Sequence, residues 1–408
     1  MKARVLMLPK WYPNRYDDQD GDFVARHVAA IAPYAEAAVL FATVARGPLP
    51  HLIVAEPDLL GPMPVLRYYY RARITGVTAI DKVLKLGLYF WCLLRGYRAL
   101  CRRWGARPAL VHVHVLLRTG LFAAALQVLT GIPYLITEHW TLYLPGKAES
   151  IGWLRRQLTR VVVRRAAALH TVSDNLRRAM QHLGMANELT LTIPNVVDLT
   201  LFELAATQAE ALPPTGGKLL HVAAFNEPAK NLTGILRTVA RLRQHRPNLT
   251  LRIAGYGPDE GRVRQVAAEL SLLDGAVQFL GKLTQPQVAA EMQQADCLVL
   301  FSNFENLPCV LIEAQASGLP AVATQVGGVP ELLPPDGRYG RLVPPGDEAA
   351  LEQALEDVLK AKLTFQPEMM RTHATEHFGY AAVGRQFAAL YAKLLAKTSF
   401  PDSPTRPA

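Results

Sequence analysis

Cysteine is scarce in this 408-residue chain. There are four, Cys92, Cys101, Cys297 and Cys309, at spacings that fit neither a disulfide framework nor metal-ligand pairs. They are expected to be reduced. Charge is scarce too: 19% of residues are charged against 50% apolar, which excludes a disordered chain and leaves ample material for a core. Long apolar runs are missing. The run before Pro9 is too short for the apolar region of a secretory signal. The stretch "LGLYFWCLL" (Leu86–Leu94) is far short of the ~20 residues of a membrane span. The expectation is a cytoplasmic protein that does not cross the membrane. No G-x-G-x-x-G follows the first apolar strand, which counts against a dinucleotide-dependent oxidoreductase. No His/Asp/Glu cluster has metal-ligand spacing, and no nucleic-acid-binding motif accompanies the basic residues.

What charge there is lies unevenly. Residues 1–200 hold 25 Lys/Arg against 13 Asp/Glu, and the remainder holds 19 against 21. The first half therefore expects a negative partner. Within it, residues 67–108 mix Arg and Lys with Tyr, Phe and Trp. Two accounts stay open for that segment: a packed helix with a solvated basic face, or a peripheral surface on the inner face of an anionic membrane. A nucleic-acid partner is not expected.

Short apolar strands alternate with helical stretches throughout. "ARVLMLP", "ALVHVHV", "PYLITEH", "AAALHTVS" and "LTLTIPN" form one series, and a second restarts at "GKLLHVAAF" and runs through "LTLRIAGYG", "AVQFLGKL", "ADCLVLFS", "LPAVATQVGG" and "GRLVPPG". The alternation predicts parallel sheets covered by helices, in two Rossmann-like halves joined by a linker near 200–216. In such sheets ligands bind beyond the carboxyl ends of strands.

One strand-loop-helix unit concentrates chemistry. After "CLVLFS" comes "NFENLP", with Glu305 in the loop and Glu313 eight positions on, inside a helix predicted to begin near Pro308. Backbone N–H groups of Asn306, Leu307 and the first turn then offer donors for hydroxyls or phosphate oxygens. The alternative is an ordinary pair of capping or surface glutamates.

The segments around this unit carry a resemblance. E-x7-E followed by "EAQASGLPAVATQVGGVPELL", with "TEHW", "TVS", "IPNVVD", "KN", "AGYGPD", "FLGKL" and "GRLVPPGD" in order, resembles the large family of retaining, nucleotide-sugar-dependent glycosyltransferases of group 1 over essentially the whole chain. The resemblance implies a GT-B α/β fold, two Rossmann-like domains facing each other across a cleft. Residues 1–200 would form an acceptor-binding domain and 201–375 a nucleotide-sugar-binding domain. Residues 376–408 would be a helix returning to the first domain, with "SFPDSPTRPA" as a loose tail.

It further implies site residues. Lys230 would hold the donor diphosphate, where a fixed ammonium stabilises the leaving charge without a metal. Glu305, with the N–H groups of Asn306 and Leu307, would meet the donor sugar, and Glu313 the ribose. Asn231, Gly255 and Leu283 complete the expected donor site, and His139 would lie over the donor sugar unless it is simply a satisfied core histidine. Gly21, in "DQDGDFVARH", would let backbone approach the donor phosphate or the acceptor. The expected reaction transfers a sugar, with retention, from a nucleotide-diphosphate sugar (UDP-sugar first, GDP-sugar next) to a carbohydrate or lipid-linked acceptor in envelope polysaccharide or glycolipid synthesis. No cofactor or metal is expected. One departure stands out: Ala224 and Phe225 occupy the strand end where many members carry arginine, with Arg26 as a candidate substitute. That leaves a catalytically silent nucleotide-sugar-binding or membrane-surface protein as the alternative.

Overall fold

The computed structural model describes residues 2–61, 63–204, 216–360 and 365–398. Residues 205–215 of the expected linker and the tail "SFPDSPTRPA" lie outside the described residues. The chain divides into two units: residues 1–172, 177–193 and 383 onward, and residues 173–176 with 194–382. These divisions differ by a few residues from the 200 and 376 read from the sequence. The second unit takes up "IPNVVD" at Pro194, and the first takes up the last helix only from Val383.

The first unit is built on an eight-stranded sheet. Its strands are β1 (Arg4–Pro9), β2 (Glu36–Val44), β3 (Ile53–Asp58), β4 (Val65–Tyr70), β5 (Leu110–His114), β6 (Tyr134–Glu138), β7 (Ala168–Thr171) and β8 (Thr190–Thr192). The order is β3-β4-β2-β1-β5-β6-β7-β8, parallel throughout except for the β3/β4 pair. Residues 5–8 of β1 and all of β5 and β6 are buried, as strands covered on both faces must be. The sequence reading named five of the eight. β2, β3 and β4 were not expected: β2 is a continuous apolar run closed by Gly47–Pro48, and β3 carries Pro57, which an edge strand tolerates. Helices α1 (Asp22–Ile31), α2 (Thr78–Trp104), α3 (Arg118–Thr130) and α4 (Trp153–Arg165) belong to this unit.

The last helix, Tyr380–Thr398, contributes Phe387 and Tyr391 to the core of the first unit. Tyr391 Oη lies 2.6 Å from His112 Nδ1, His112 Nε2 lies 2.6 Å from Thr137 Oγ1, Thr137 Oγ1 lies 2.8 Å from His170 Nδ1, and His170 Nε2 lies 2.6 Å from the Ile193 carbonyl. One assignment of protons satisfies every member. Tyr391 donates to His112, which donates to Thr137, which donates to His170, which donates to Ile193. Both imidazoles are then neutral, as burial demands: it holds His112 well below the ordinary 6.5 and His170 at about 3.

The second unit carries six parallel strands, β9 (Gly216–Val222), β10 (Asn248–Ala254), β11 (Val277–Gly281), β12 (Cys297–Leu300), β13 (Ala321–Thr324) and β14 (Gly340–Val343), in the order β11-β10-β9-β12-β13-β14. This is the doubly wound order. The chain reverses its direction of travel across the sheet between β9 and β12, and the carboxyl ends of those two strands form the ligand crevice of such folds. Leu219, Leu251, Ile253, Val299 and Val322 fill the interior. Asp174–His182 forms helix α5, which spans the division between the units. Helices α6 (Glu227–Lys230), α7 (Leu232–Leu242), α8 (Glu260–Glu269), α9 (Gln285–Gln294) and α10 (Cys309–Ala316) follow.

Candidate functional site

At the β9/β12 reversal the loops leaving the two strands are tied together. The Asn303 backbone N–H donates to the Ala229 carbonyl at 2.8 Å, and its side-chain amide donates to the Pro228 carbonyl at 3.2 Å. Lys230, the last residue of α6, places Nζ 2.5 Å from Glu305 Oε1. Ser302 Oγ donates to that same oxygen at 2.7 Å. Glu305 is only 6% exposed, and an ionised carboxylate so placed requires a partner. Lys230 supplies it. Two residues selected from separate sequence motifs are thus in contact.

The turn that presents Lys230 is fixed by a residue the sequence reading missed. The buried Glu227 carboxylate accepts from the backbone N–H groups of Leu232 and Thr233, both at 3.0 Å, and from the Thr233 hydroxyl, capping α7. Asn231 joins α6 to α7 in the left-handed region at φ 48°, a conformation asparagine tolerates. A carboxylate ahead of the KN pair was the available signal for Glu227. His221 was missed as well. It lies buried on β9, with Nδ1 2.8 Å from the Val299 carbonyl, and burial lowers it to about 4. Its partner is 78 residues away, so no local pattern reveals it.

Beyond Glu305, Asn306 and Leu307 are buried. Asn306 Oδ1 accepts from Ser173 Oγ at 2.6 Å, and the Asn195 side-chain amide donates to the Leu307 carbonyl at 2.6 Å. "TVS" and "IPN" therefore serve this loop. The two glycines of "QVGGVPE" press on it: a Cβ on Gly327 would stand 1.8 Å from the Glu305 carbonyl oxygen, and one on Gly328 2.4 Å from that of Asn306. Pro308 is the N-cap of α10 and does not enter its first turn, and Glu313 lies one turn inside the helix, buried. Gly255 follows β10 because a Cβ there would meet the Ala223 carbonyl at 1.9 Å. Leu283, past the end of β11, is half-buried. Ala224 is exposed. Arg26, the substitute considered for the missing arginine, belongs to the first unit, where it is buried and pairs with Asp22 at 2.6 Å.

In the first unit, Gly21 caps α1 at φ 67°, and its missing side chain makes room for the Trp11 backbone, 2.4 Å from where a Cβ would sit. His139 is 8% exposed, with ring centroids of Phe23 at 4.8 Å and His27 at 5.1 Å. His27, His114 and His139 bring ring nitrogens within 4.8 Å of one another, a grouping that suits a transition-metal ion. The sequence showed no such cluster, because the middle of α1, the end of β5 and the residue after β6, far apart in the chain, supply it. Glu138, also unflagged, is fully buried and accepts from the N–H groups of Leu116, His139 and Trp140 at 2.8–2.9 Å. Burial still raises it to about 7.

Comparison with known proteins agrees with this architecture. Residues 216–361 match the family described as glycosyl transferases group 1, and residues 24–196 match the glycosyl transferase 4-like domain. The chain is 30% identical over 303 residues to glycogen synthase of Mycobacterium tuberculosis, covering 71% of this chain and 69% of that one. It is 28% identical over 321 residues to the MMP alpha-(1->4)-mannosyltransferase of Mycolicibacterium hassiacum, covering 75% of each. Sucrose-phosphate synthase from Thermosynechococcus elongatus superposes with a TM-score of 0.73 at 21% identity, over 97% of this chain and 100% of the other. HepE of Anabaena, in complex with UDP and glucose, gives 0.70 at 19% identity, over 96% and 99%. The chain has the GT-B fold and belongs to the group 1 glycosyltransferases.

Proposed function

We propose that the chain transfers a sugar, with retention at the anomeric carbon, from a nucleotide-diphosphate sugar to an acceptor hydroxyl in envelope polysaccharide or glycolipid synthesis. The observation that carries the reading is the Lys230–Glu305 pair at the β9/β12 reversal. In this account the donor diphosphate takes over Lys230, whose ammonium stabilises the charge released as the bond from C1 to the diphosphate breaks. Glu305 and the backbone of Asn306 and Leu307 receive sugar hydroxyls, and Glu313 receives the ribose. His139 is assigned to a sugar hydroxyl by family likeness. The diphosphate accepts the proton of the incoming hydroxyl, so Glu305 serves as a binding group and not as a nucleophile. UDP-sugar is the first donor to test, the HepE complex with UDP and glucose being one support, and GDP-sugar the second. The proposed chemistry calls for no metal at the Lys230–Glu305 pair, and the expected result is a rate unchanged by EDTA.

The acceptor falls to the first unit, and a membrane surface suits it. Helix α2 exposes Ile80, Val83, Leu84 and Trp91 beside Lys82 and Arg98, and α4 exposes Trp153 and Leu154 ahead of Arg164 and Arg165. No helix among the described residues is long and apolar enough to cross a membrane, so the reading is a surface contact. The test is a donor-consumption assay across UDP-, GDP- and ADP-sugars. Release of sugar or its transfer supports the enzyme. Tight nucleotide binding with no sugar released supports the silent binder that Ala224 leaves open.

A further inference from the structure

The first unit holds a second polar site that the reaction above does not use. Lys10 follows β1, and its ammonium stands 3.4 Å from the ring centroid of Trp140 and 4.4 Å from that of Trp11. The two indoles meet edge-on, centroids 5.4 Å apart and planes at 83°, so they form a corner with the ammonium in it. Arg155, from α4, puts its guanidinium carbon 5.1 Å from the same Trp140 ring. Among the described residues neither Lys10 nor Arg155 makes an ion pair; Arg155 Nε is buried with no hydrogen-bond partner, while the guanidinium acts on the Tyr143 hydroxyl.

The charge balance of this corner is lopsided. Burial first, and then the like charges of Arg155 and Arg118, lower Lys10 to about 8. The one opposing group is Glu138, which is fully buried and already accepts from three backbone N–H groups. Proteins rarely gather cations without a counter-charge unless a ligand provides it. The turn between β5 and α3 that supplies one of those N–H groups is strained. Val115 lies at φ 67° and Leu117 at φ 103°, and strain of this kind in residues with side chains concentrates at functional sites.

We propose that the corner formed by Lys10, Trp11, Trp140 and Arg155 binds an anionic group, phosphate or carboxylate, on the acceptor, with the indole faces taking the apolar side of the attached sugar or carrier. The inference rests on the reading of the chain as a glycosyltransferase and adds the chemical class of its acceptor. Lysine and arginine donors supply charge-assisted hydrogen bonds to the anion, and aromatic faces are the usual partners of the C–H face of a sugar.

The test is labelling of Lys10 by an amine reagent in the full chain near pH 8, read by mass spectrometry. Inorganic phosphate, glucose 6-phosphate, glucuronate, farnesyl phosphate and glucose serve as competitors, and UDP as control. Glucose 6-phosphate or another of the anions slows Lys10 labelling at least about tenfold, the effect of roughly one charge-assisted hydrogen bond. Neutral glucose does not. Protection by farnesyl phosphate alone assigns the anion to a lipid carrier, and protection by glucuronate alone assigns it to a uronic acid. Trp140→Leu and Arg155→Gln, with circular dichroism to confirm folding, remove the protection. UDP protects Lys230 and not Lys10, which keeps the two readings apart. Failure at Lys10 with UDP protection at Lys230 intact overturns this proposal alone. No protection by any anion, or equal protection by glucose, also overturns it.

Discussion

Lys230 and Glu305 lie 75 positions apart in the chain and meet at 2.5 Å, with Ser302 on the same carboxylate oxygen. The cation assigned above to a diphosphate and the carboxylate assigned to a sugar satisfy each other. In the proposed reading, donor binding exchanges this one contact for two, one from Lys230 to the diphosphate and one from Glu305 to the sugar.

Glu313 is buried one turn inside α10. If it bonds the ribose, Glu313→Ala weakens nucleotide binding by about 1–3 kcal/mol, while a free sugar is bound as before. Calorimetric titration with the preferred nucleotide checks this; an unchanged affinity removes the assignment.

Gly327 adopts φ +55° with no room for a side chain beside the Glu305 carbonyl. Gly327→Ala therefore displaces the loop that carries Glu305. The expected loss is ~2 kcal/mol of stability in the second unit, from strain and overpacking together, accompanied by reduced donor affinity. Denaturant unfolding and titration on the same sample give both numbers. A variant with wild-type donor affinity contradicts the packing argument.

Acid sensitivity should reside in the first unit. His112 and His170 are buried neutral, below their unfolded value of 6.5, so their contribution is present above pH 6.5 and is lost as the pH falls. Each can cost up to ~1.4 kcal/mol per pH unit. Glu138 acts in the opposite sense: raised to about 7 from 4.5, it favours folding most at low pH and loses that contribution as the pH rises through 7. With His112, His170 and the equally buried His114 against one carboxylate, melting temperature falls between pH 6.5 and 5. His170→Asn flattens that fall; an identical pH profile in the variant rules out His170 as its source.

Membrane contact through α2 predicts that Val83→Glu with Trp91→Ala lowers sedimentation with phosphatidylglycerol vesicles, leaving neutral vesicles unbound as before. Val83 is 71% exposed and Trp91 54%, so neither change disturbs the core. Equal vesicle binding by variant and wild type sinks the surface assignment.

Much of this molecule was legible in the sequence because its strands are short, apolar and punctuated by glycine or proline. The E-x7-E unit and its flanks picked out Lys230 and Glu305, and the parallel sheet explains why those two meet at strand ends. Contacts made only by topology were not legible. Glu227 looks like a helix-start carboxylate until its three donors are seen. The cluster of His27, His114 and His139 is assembled from distant elements. Gly21 is expected to let backbone approach a ligand; that its bare Cα makes room for the Trp11 backbone was not legible. β2 and β4 were missed although Gly47–Pro48 follows the first and Pro64 directly precedes the second.

The most direct test of the central claim is titration of wild type and Lys230→Ala with UDP-sugars and GDP-sugars, followed by the rate of sugar release. The account predicts that wild type binds one nucleotide class and turns it over, and that Lys230→Ala loses on the order of 10²-fold in rate. Equal rates for the two proteins, or binding without turnover in wild type, would contradict it.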